Sequence, residues 1–464
     1  MLPPFDPWLT SCVSADVAVA SHARADALAG RRAQRLASLL GSAASGSALY
    51  RKLLAGRDPA HWRLADLPIA RKAELMQQFD DWVTDPALRL DELHHFASDC
   101  SCIADAFCGR YVVWESSGST GEPAMFAQDA KAMAVYDALE FWRGPALQRT
   151  TNPWSIPERI AFVGATGGHF ASWVSMERLR RLNPAMASSL HGISFLQPAR
   201  ELVAELNALA PTVVATYPSV AVLLAEERQA GRFEAAPGAL WTGGEDLSAA
   251  TREYLQQALD CRVANSYGAS EFLALASECR FGNLHLNSDW AILESVDEQG
   301  REVPAGEAGA TALLTNLANH VQPLIRYDLG DRVTLHAESC ECGSHHPVIE
   351  VQGRNDDSLQ LGRPGDPMVR ITPLAVSTVL EDDAGLFDFQ LEQQGPCQLL
   401  LRTGLHGETA DSSLQRARAV LSDFLAGQGA GGVHIHCRSG EVSRGRSGKV
   451  QRVVSMLEAS AGVH

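Results

Sequence analysis

Apolar residues recur at helical spacing through the first hundred positions. Leu36, Leu39 and Leu40 share one face of 29–56, and Leu75, Phe79 and Trp82 share one face of 68–83, so this region is expected to be largely helical. From about 111 the texture changes. The short apolar runs YVVW, RIAFVG, PTVVATY, ALWTGG and CRVANSYG alternate with helix-like stretches at 129–143, 173–182, 218–229 and 247–259. Strand-length runs separated by amphipathic helices imply an α/β domain with a substantially parallel sheet. After 284, AILESV, ATALLTNL and PLIRY follow one another between Gly and Pro turn signals, which predicts a β-rich subdomain. GRNDD at 353–357 separates this from a last piece in which FDFQLE, CQLLLR and VHIHC read as strands. That piece also holds one amphipathic helix, with Asp411 as its cap and Leu414, Leu421, Phe424 and Leu425 as its apolar face.

Composition narrows the class. A chain of 464 residues, 46% hydrophobic, exceeds one ordinary compact unit, so two or more domains are expected. Its 39 basic and 55 acidic residues give a formal charge of -16, and no dense Lys/Arg stripe is available to neutralise a phosphate backbone. Nucleic acid is therefore not an expected partner. The first thirty residues lack a basic start followed by an apolar run, and no apolar stretch reaches the roughly 18 residues a membrane span needs. A cytoplasmic protein without a membrane partner is expected. Ten cysteines are too sparse for a disulfide scaffold and should remain thiols unless they hold a metal.

Ser116-Ser117-Gly118-Ser119-Thr120-Gly121-Glu122-Pro123 follows YVVW with Glu115 between. Densely packed hydroxyls and glycine amides can converge on an anion, so this is a candidate phosphate-holding loop. No Gly-Lys-Ser/Thr ends it, which excludes a Walker loop. Downstream come Trp241-Thr242-Gly243-Gly244-Glu245, Asn265-Ser266-Tyr267-Gly268-Ala269-Ser270-Glu271, Arg326-Tyr327-Asp328-Leu329-Gly330-Asp331, Gly353-Arg354-Asn355-Asp356-Asp357 and Arg446-Ser447-Gly448-Lys449.

In these motifs, over roughly 111–452, the sequence resembles the adenylate-forming superfamily of acyl-CoA synthetases, and within it the phenylacetate-CoA ligase family. The resemblance implies a large N-terminal domain and a small mobile C-terminal α+β domain joined by a hinge. On that reading 1–110 is the helical N-terminal part of the large domain, 111–353 the AMP-binding α/β and β-rich core, and 354–464 the mobile domain. It implies ATP and Mg2+ as cofactors. Ser116, Ser117, Gly118, Ser119, Thr120 and Gly121 would hold the β- and γ-phosphates, although Ala124 stands where many relatives have lysine. Gly243, Gly244 and Glu245 would turn against adenine, with Ser266, Tyr267, Gly268 and Ser270 completing the ATP site and Tyr267 lying across the base. Glu271 would coordinate Mg2+, and Asp331 would take the ribose hydroxyls. Arg354 would approach the phosphates, Asp356 would be the pivot, and Lys449 would neutralise charge between the carboxylate and the α-phosphate.

Thr166, Gly167, His169 and Phe170, with Tyr217, occupy positions that border the acyl pocket in that family. Aromatic walls and small glycines suit a flat ring. Phe170, Trp173 and Tyr217 are equally compatible with ordinary core, and His169 with either a substrate contact or a structural role. Cys340 and Cys342, with Cys279 and His285 about sixty residues upstream, form a soft-donor set suited to tetrahedral Zn2+. Some members of the resembling family carry a structural zinc in such a setting. Cys100, Cys102 and Cys108, near His94 and His95, have less regular spacing and read as free or buried thiols.

The function implied is an ATP-dependent aryl-acid ligase that makes acyl-AMP and pyrophosphate from a small aromatic carboxylic acid, benzoate-, hydroxybenzoate- or phenylacetate-like, and passes the acyl group to CoA. An acyl carrier protein is the alternative acceptor, and a non-catalytic nucleotide-binding sensor is the alternative of another class. The partners left open include a second copy of the chain, as a homodimer.

Overall fold

The computed structural model describes residues 3–55, 63–116, 123–144, 159–352, 358–362, 368–386, 389–405, 407–440 and 452–455. Among the described residues six α-helices open the chain: α1 (Pro7–Ala20), α2 (Ala25–Gly46), α3 (Ala48–Leu54), α4 (Lys72–Gln77), α5 (Phe79–Trp82) and α6 (Leu90–Ala97). The helical run expected over 29–56 breaks at Ser47, whose hydroxyl accepts from the Tyr50 N–H at 3.2 Å and starts a new helix. The run over 68–83 is likewise divided, at Gln78. These helices have no separate core: Leu39, Trp82 and Leu93 cluster with Trp114, Met125 and Leu314. The Tyr50 hydroxyl and the Trp82 indole N–H both donate to the Pro323 carbonyl, at 3.2 and 2.6 Å.

Strands β1 (Val112–Glu115) and β2 (Met125–Gln128) pair antiparallel and lead into α7 (Ala130–Arg143), capped by Asp129. Then β3 (Ile160–Gly164), α8 (Ala171–Leu182), α9 (Pro184–Ala187), β4 (Leu190–Ser194), α10 (Ala199–Leu209), β5 (Val213–Thr216), α11 (Pro218–Gln229), β6 (Ala239–Thr242), α12 (Ala249–Leu259) and β7 (Arg262–Ala269) alternate, with β4 and α10 a further repeat that the apolar runs above do not include. A strand-rich stretch follows, comprising β8 (Phe272–Glu278), β9 (Leu284–Leu286), β10 (Ala291–Val296), β11 (Thr311–Asn316), β12 (Tyr327–Asp328), β13 (Arg332–His336) and β14 (Val348–Gln352).

One nine-stranded sheet carries most of this, in the order β13-β14-β9-β8-β7-β6-β5-β3-β4. Pairings from β4 to β7 are parallel, and those from β7 to β13 are antiparallel. The α/β half and the β-rich half thus share one sheet, while β10, β11 and β12 form a separate three-stranded one. Because β3 lies between β4 and β5, the chain reverses its direction of advance there. Such a switch opens a crevice at the carboxyl ends of the parallel strands.

The C-terminal piece has its own apolar cluster, including Leu361, Leu391, Leu401, Leu421 and Leu425. Its elements are the hairpin β15 (Leu359–Leu361) and β16 (Val369–Ile371), α13 (Pro373–Thr378), β17 (Gln390–Gly395), β18 (Gln398–Thr403), α14 (Gly407–Gly427), β19 (His434–Ser439) and β20 (Val453–Val454). Its four-stranded sheet runs β19-β18-β17-β20. Asp411 is not the cap of α14. The helix begins a turn earlier, at Gly407, whose φ of +67° sets the entry of the chain and leaves Asp411 inside the first turns. Leu414, Leu421 and Leu425 are buried as the apolar face, and Phe424 packs against both this cluster and the large sheet's. The Gln428 amide donates to the Leu196 carbonyl at 2.5 Å, and Arg370 pairs with Glu226.

Candidate active site

The crevice at the switch point is a cavity of about 2410 Å³. Pockets for one small ligand run to about 300–1,000 Å³, so this space can take a nucleotide and further groups together. Ser116, Ala165, Phe170, Tyr217, Gly243, Gly244, Glu245, Ser266, Tyr267, Gly268, Ser270, Glu271 and Asp331 all line it. Thr166, Gly167 and His169 do not.

The β6 turn shows why glycines are needed. A Cβ on Gly244, which has φ of +79°, would stand 2.9 Å from Tyr217 Cε1, and one on Gly243 would stand 3.0 Å from Ser266 Oγ. The backbone can lie flat against the Tyr217 ring only without those carbons. Glu245 does more than close the turn. Its carboxylate accepts from the Ser219 N–H at 2.8 Å and the Ser219 hydroxyl at 2.9 Å, capping α11, for which Tyr217 is the N-cap residue.

The β7–β8 hairpin is equally tight: a Cβ on Gly268 would fall 2.0 Å from the Leu273 carbonyl oxygen. Two buried donors hold the tip. The Trp114 indole reaches the Ser270 carbonyl at 2.8 Å, and the Asn316 amide reaches the Glu271 carbonyl at 2.9 Å. Above it the Tyr267 hydroxyl donates to Asp331 at 2.9 Å. Burial, then the Asp331 charge, pushes the Tyr267 phenol well above its ordinary range. Burial also raises the Glu271 carboxyl, opposed by a hydrogen bond from Tyr327. A carboxylate so placed gains most from a hard cation, the partner expected for it.

Ser116 forms the foot of the candidate phosphate loop. Its N–H donates to the Ala124 carbonyl and its Oγ accepts from the Ala124 N–H, both at 2.9 Å, which leaves the hydroxyl proton free to donate. Ser117, Gly118, Ser119, Thr120, Gly121, Arg354, Asp356 and Lys449 lie outside the described residues.

Phe170 and Tyr217 face the cavity, joined by Phe162, on which Trp173 stacks with ring centroids 6.4 Å apart. His169 points the other way. It is fully buried, tilted against Phe96 at 5.5 Å, and burial lowers its imidazole pKa. Of the two roles its sequence position left open, this placement is structural. The Gly167 carbonyl accepts from the Cys100 thiol at 3.0 Å.

Cys279, His285, Cys340 and Cys342 converge, their ligand atoms all within 4.8 Å of one another. Cys279 Sγ stands 3.8 Å from Cys340 Sγ, and Cys342 Sγ stands 3.3 Å from His285 Nε2. Zinc bonds of about 2.3 Å to sulfur and 2.0 Å to nitrogen give tetrahedral edges of about 3.5–3.8 Å, so the donor set fits the ion. His285 Nδ1 faces the His346 carbonyl at 2.8 Å, which turns Nε2 toward the thiols. Burial raises the Cys340 thiol, yet the hydrogen bonds from the Cys342 N–H and Asn283 outweigh it and lower it to about 6. Among the described residues Cys100, Cys102 and Cys108 are free thiols outside any such cluster.

Sequence reasoning gave no role to Tyr327, Asn316, Glu115 or Asp382. Asn316 left a trace, a polar residue ending the apolar run ATALLTN. Asp382 left none, because its environment depends on how the C-terminal piece folds back.

No family model matches the chain. A curated relative, CapK of Staphylococcus aureus, is 26% identical over 184 residues, so the match spans 39% of this chain and 39% of that protein. Among solved structures, 2-hydroxyisobutyryl-CoA ligase in complex with 2-HIB-AMP and CoA in its thioesterification state superposes with a TM-score of 0.60 at 20% identity, covering 94% of this chain and 91% of that one. Its postadenylation state with 2-HIB-AMP gives 0.55 at 20% identity, covering 92% and 89%. Over nearly its whole length, the chain has the fold of 2-hydroxyisobutyryl-CoA ligase.

Proposed function

We propose that the protein is an ATP-dependent acid–thiol ligase that forms an acyl adenylate and transfers the acyl group to CoA. The observation that carries this reading is the constellation of Tyr267, Asp331, Glu271 and Tyr327, which line the same cavity as the glycine turn after β6. The adenine packs against the Gly243–Gly244 turn where it lines the cavity, and the ribose hydroxyls donate to Asp331, which Tyr267 holds in place. Glu271 holds Mg2+, which supplies charge neutralisation on the phosphates. The acid's carboxylate attacks the α-phosphorus in line and pyrophosphate leaves. Lys449 reaches the same phosphate from the C-terminal loop, and Arg354 approaches the phosphates.

The acid is a small aromatic one. Support comes from the walls Phe162, Phe170 and Tyr217, which offer flat apolar faces where a ring can stack. For thiol transfer, residues 354–464 turn about Asp356 and withdraw Lys449. The separate apolar cluster of the C-terminal piece favours such a turn. Cys279, His285, Cys340 and Cys342 hold a structural zinc.

Acid-dependent pyrophosphate release tests the reading directly. The purified chain is offered aromatic and aliphatic acids with ATP, then CoA or a holo carrier protein, and thioester is followed by mass spectrometry. Aryl-CoA is the expected product. Thioester on the carrier protein alone would replace CoA as acceptor, and no pyrophosphate release with any acid would remove the ligase reading.

A further inference from the structure

Several carboxylates of the cavity wall take no part in the chemistry above, and one of them, Glu115, sits beside the aromatic residues Phe170 and Tyr217. Glu115 ends β1, and its backbone N–H donates to the His169 carbonyl at 2.9 Å. It bridges Phe170 in parallel register, while the next residue is locked to Ala124. The position of the side chain is therefore fixed by backbone on both sides. Its oxygen Oε1 stands beside Gly168 and the Phe170 ring: a Cβ added to Gly168 would be 3.5 Å from Oε1 and 2.9 Å from Phe170 Cε2. Glu115, Phe170 and Tyr217 thus line the same space.

Among the described residues no Lys, Arg or His forms an ion pair with Glu115, and the donor reaching its carboxylate is the backbone N–H of His169. Burial raises its pKa, opposed by the hydrogen bond from the His169 N–H. Asp382, from the turn that continues α13, is pushed up to about 7 by burial and then by the charge of Glu115. A half-buried carboxylate accepts up to four hydrogen bonds, so even with the His169 amide and a proton held on Asp382 it keeps acceptor capacity for a donor in the cavity. The reacting carboxylate of a substrate cannot fill it, because like charges repel.

We infer that Glu115 is a specificity residue for the acid, accepting a hydrogen bond from a hydroxyl or amino substituent. This rests on the ligase reading. The acids preferred are then hydroxy- or amino-substituted, and the unsubstituted analogue is rejected because it buries Glu115 against carbon with its acceptors unmet. A hydrogen bond to a charged group contributes about 1.5–3 kcal/mol, a discrimination of roughly 10- to 150-fold.

Acid-dependent pyrophosphate release is measured for matched pairs, 3-hydroxy-, 4-hydroxy- and aminobenzoates against benzoate, with wild type, Glu115→Gln and Glu115→Ala. Wild type is expected to favour at least one donor-bearing acid over its analogue by about 10-fold or more in kcat/KM. Glu115→Ala should bring that ratio close to one by slowing only the donor-bearing acid, and Glu115→Gln, which keeps an acceptor, should retain part of it. Equal kcat/KM for both members of every pair in wild type overturns the inference while leaving the ligase reading intact. So does an equal loss for both members in Glu115→Ala, which would place Glu115 on the nucleotide or its cation. If the alanine variant does not fold, the wild-type ratio and the glutamine variant decide. No release with any acid removes both readings.

Discussion

The hydroxyl of Tyr267 donates to the carboxylate of Asp331 across 2.9 Å, joining the last parallel strand to the loop that follows β12. The two motifs are 64 residues apart in the chain, and the bond aims Asp331 into the cavity.

Asp331→Ala is expected to raise the KM for ATP by about 10-fold or more, because it removes a charged acceptor of two hydroxyls. Tyr267→Phe should have a smaller effect of about 3- to 10-fold, since Asp331 remains but loses its anchor. ATP titrations of initial pyrophosphate release measure both. A tyrosine variant more damaging than the aspartate variant would make Tyr267, rather than Asp331, the principal nucleotide contact.

Lys449→Ala should cut acyl-AMP formation by roughly 10²-fold while leaving ATP affinity nearly unchanged, because charge on the transferring phosphate develops mainly in the transition state. Single-turnover adenylation and equilibrium ATP binding separate the two effects. A wild-type rate would remove the RSGK loop from the chemistry.

Protein purified without added metal should carry about one zinc per chain by elemental analysis. The double change Cys340→Ser and Cys342→Ser should release it and lower the Tm. Retention of stoichiometric zinc would move the ion elsewhere.

Asp356→Pro fixes φ near -65° at the proposed pivot. If the adenylating orientation is retained, the first-turnover release of pyrophosphate should persist while thioester formation slows sharply. Equal losses in both half-reactions, with the fold intact, would argue against a pivot at Asp356.

Asp382 supplies a pH test. Its folded-state pKa, raised to about 7, exceeds the ordinary aspartate value, so the folded state holds its proton more tightly than the unfolded chain. Stability from this group is complete below the unfolded pKa near 4 and is lost as pH rises toward 7. Asp382→Asn should therefore gain Tm over wild type at pH 8 by about 2 °C or more, and gain less at pH 5. Thermal melts at the two pH values measure it, and an equal difference at both would remove the linkage.

Much of this was legible in the sequence because period and turn chemistry are local properties. β3, β5, β6 and β7 announce themselves as apolar runs, and Gly243, Gly244 and Gly268 stand where a Cβ would meet Tyr217, Ser266 or Leu273. The facing of individual side chains was not legible. His169 and Phe170 are neighbours in one motif, yet one is buried against Phe96 and the other lines the cavity. That choice depends on which layer covers each side of the loop after β3. Asp411 was misplaced for a related reason, since the left-handed entry at Gly407 leaves no periodic trace.

Tyr217 begins α11, covers the Gly244 turn with its ring, and shares its helix start with Ser219, which Glu245 holds. On the proposed reading, the same residue walls the acid side of the cavity it lines. Selection for a bulkier acid would most simply shrink this ring, and that change would also strip the cover from the turn beside the nucleotide. The route to new substrates with least effect on ATP use therefore runs through Phe162, Met176 or Leu179, which line the cavity but do not touch that turn.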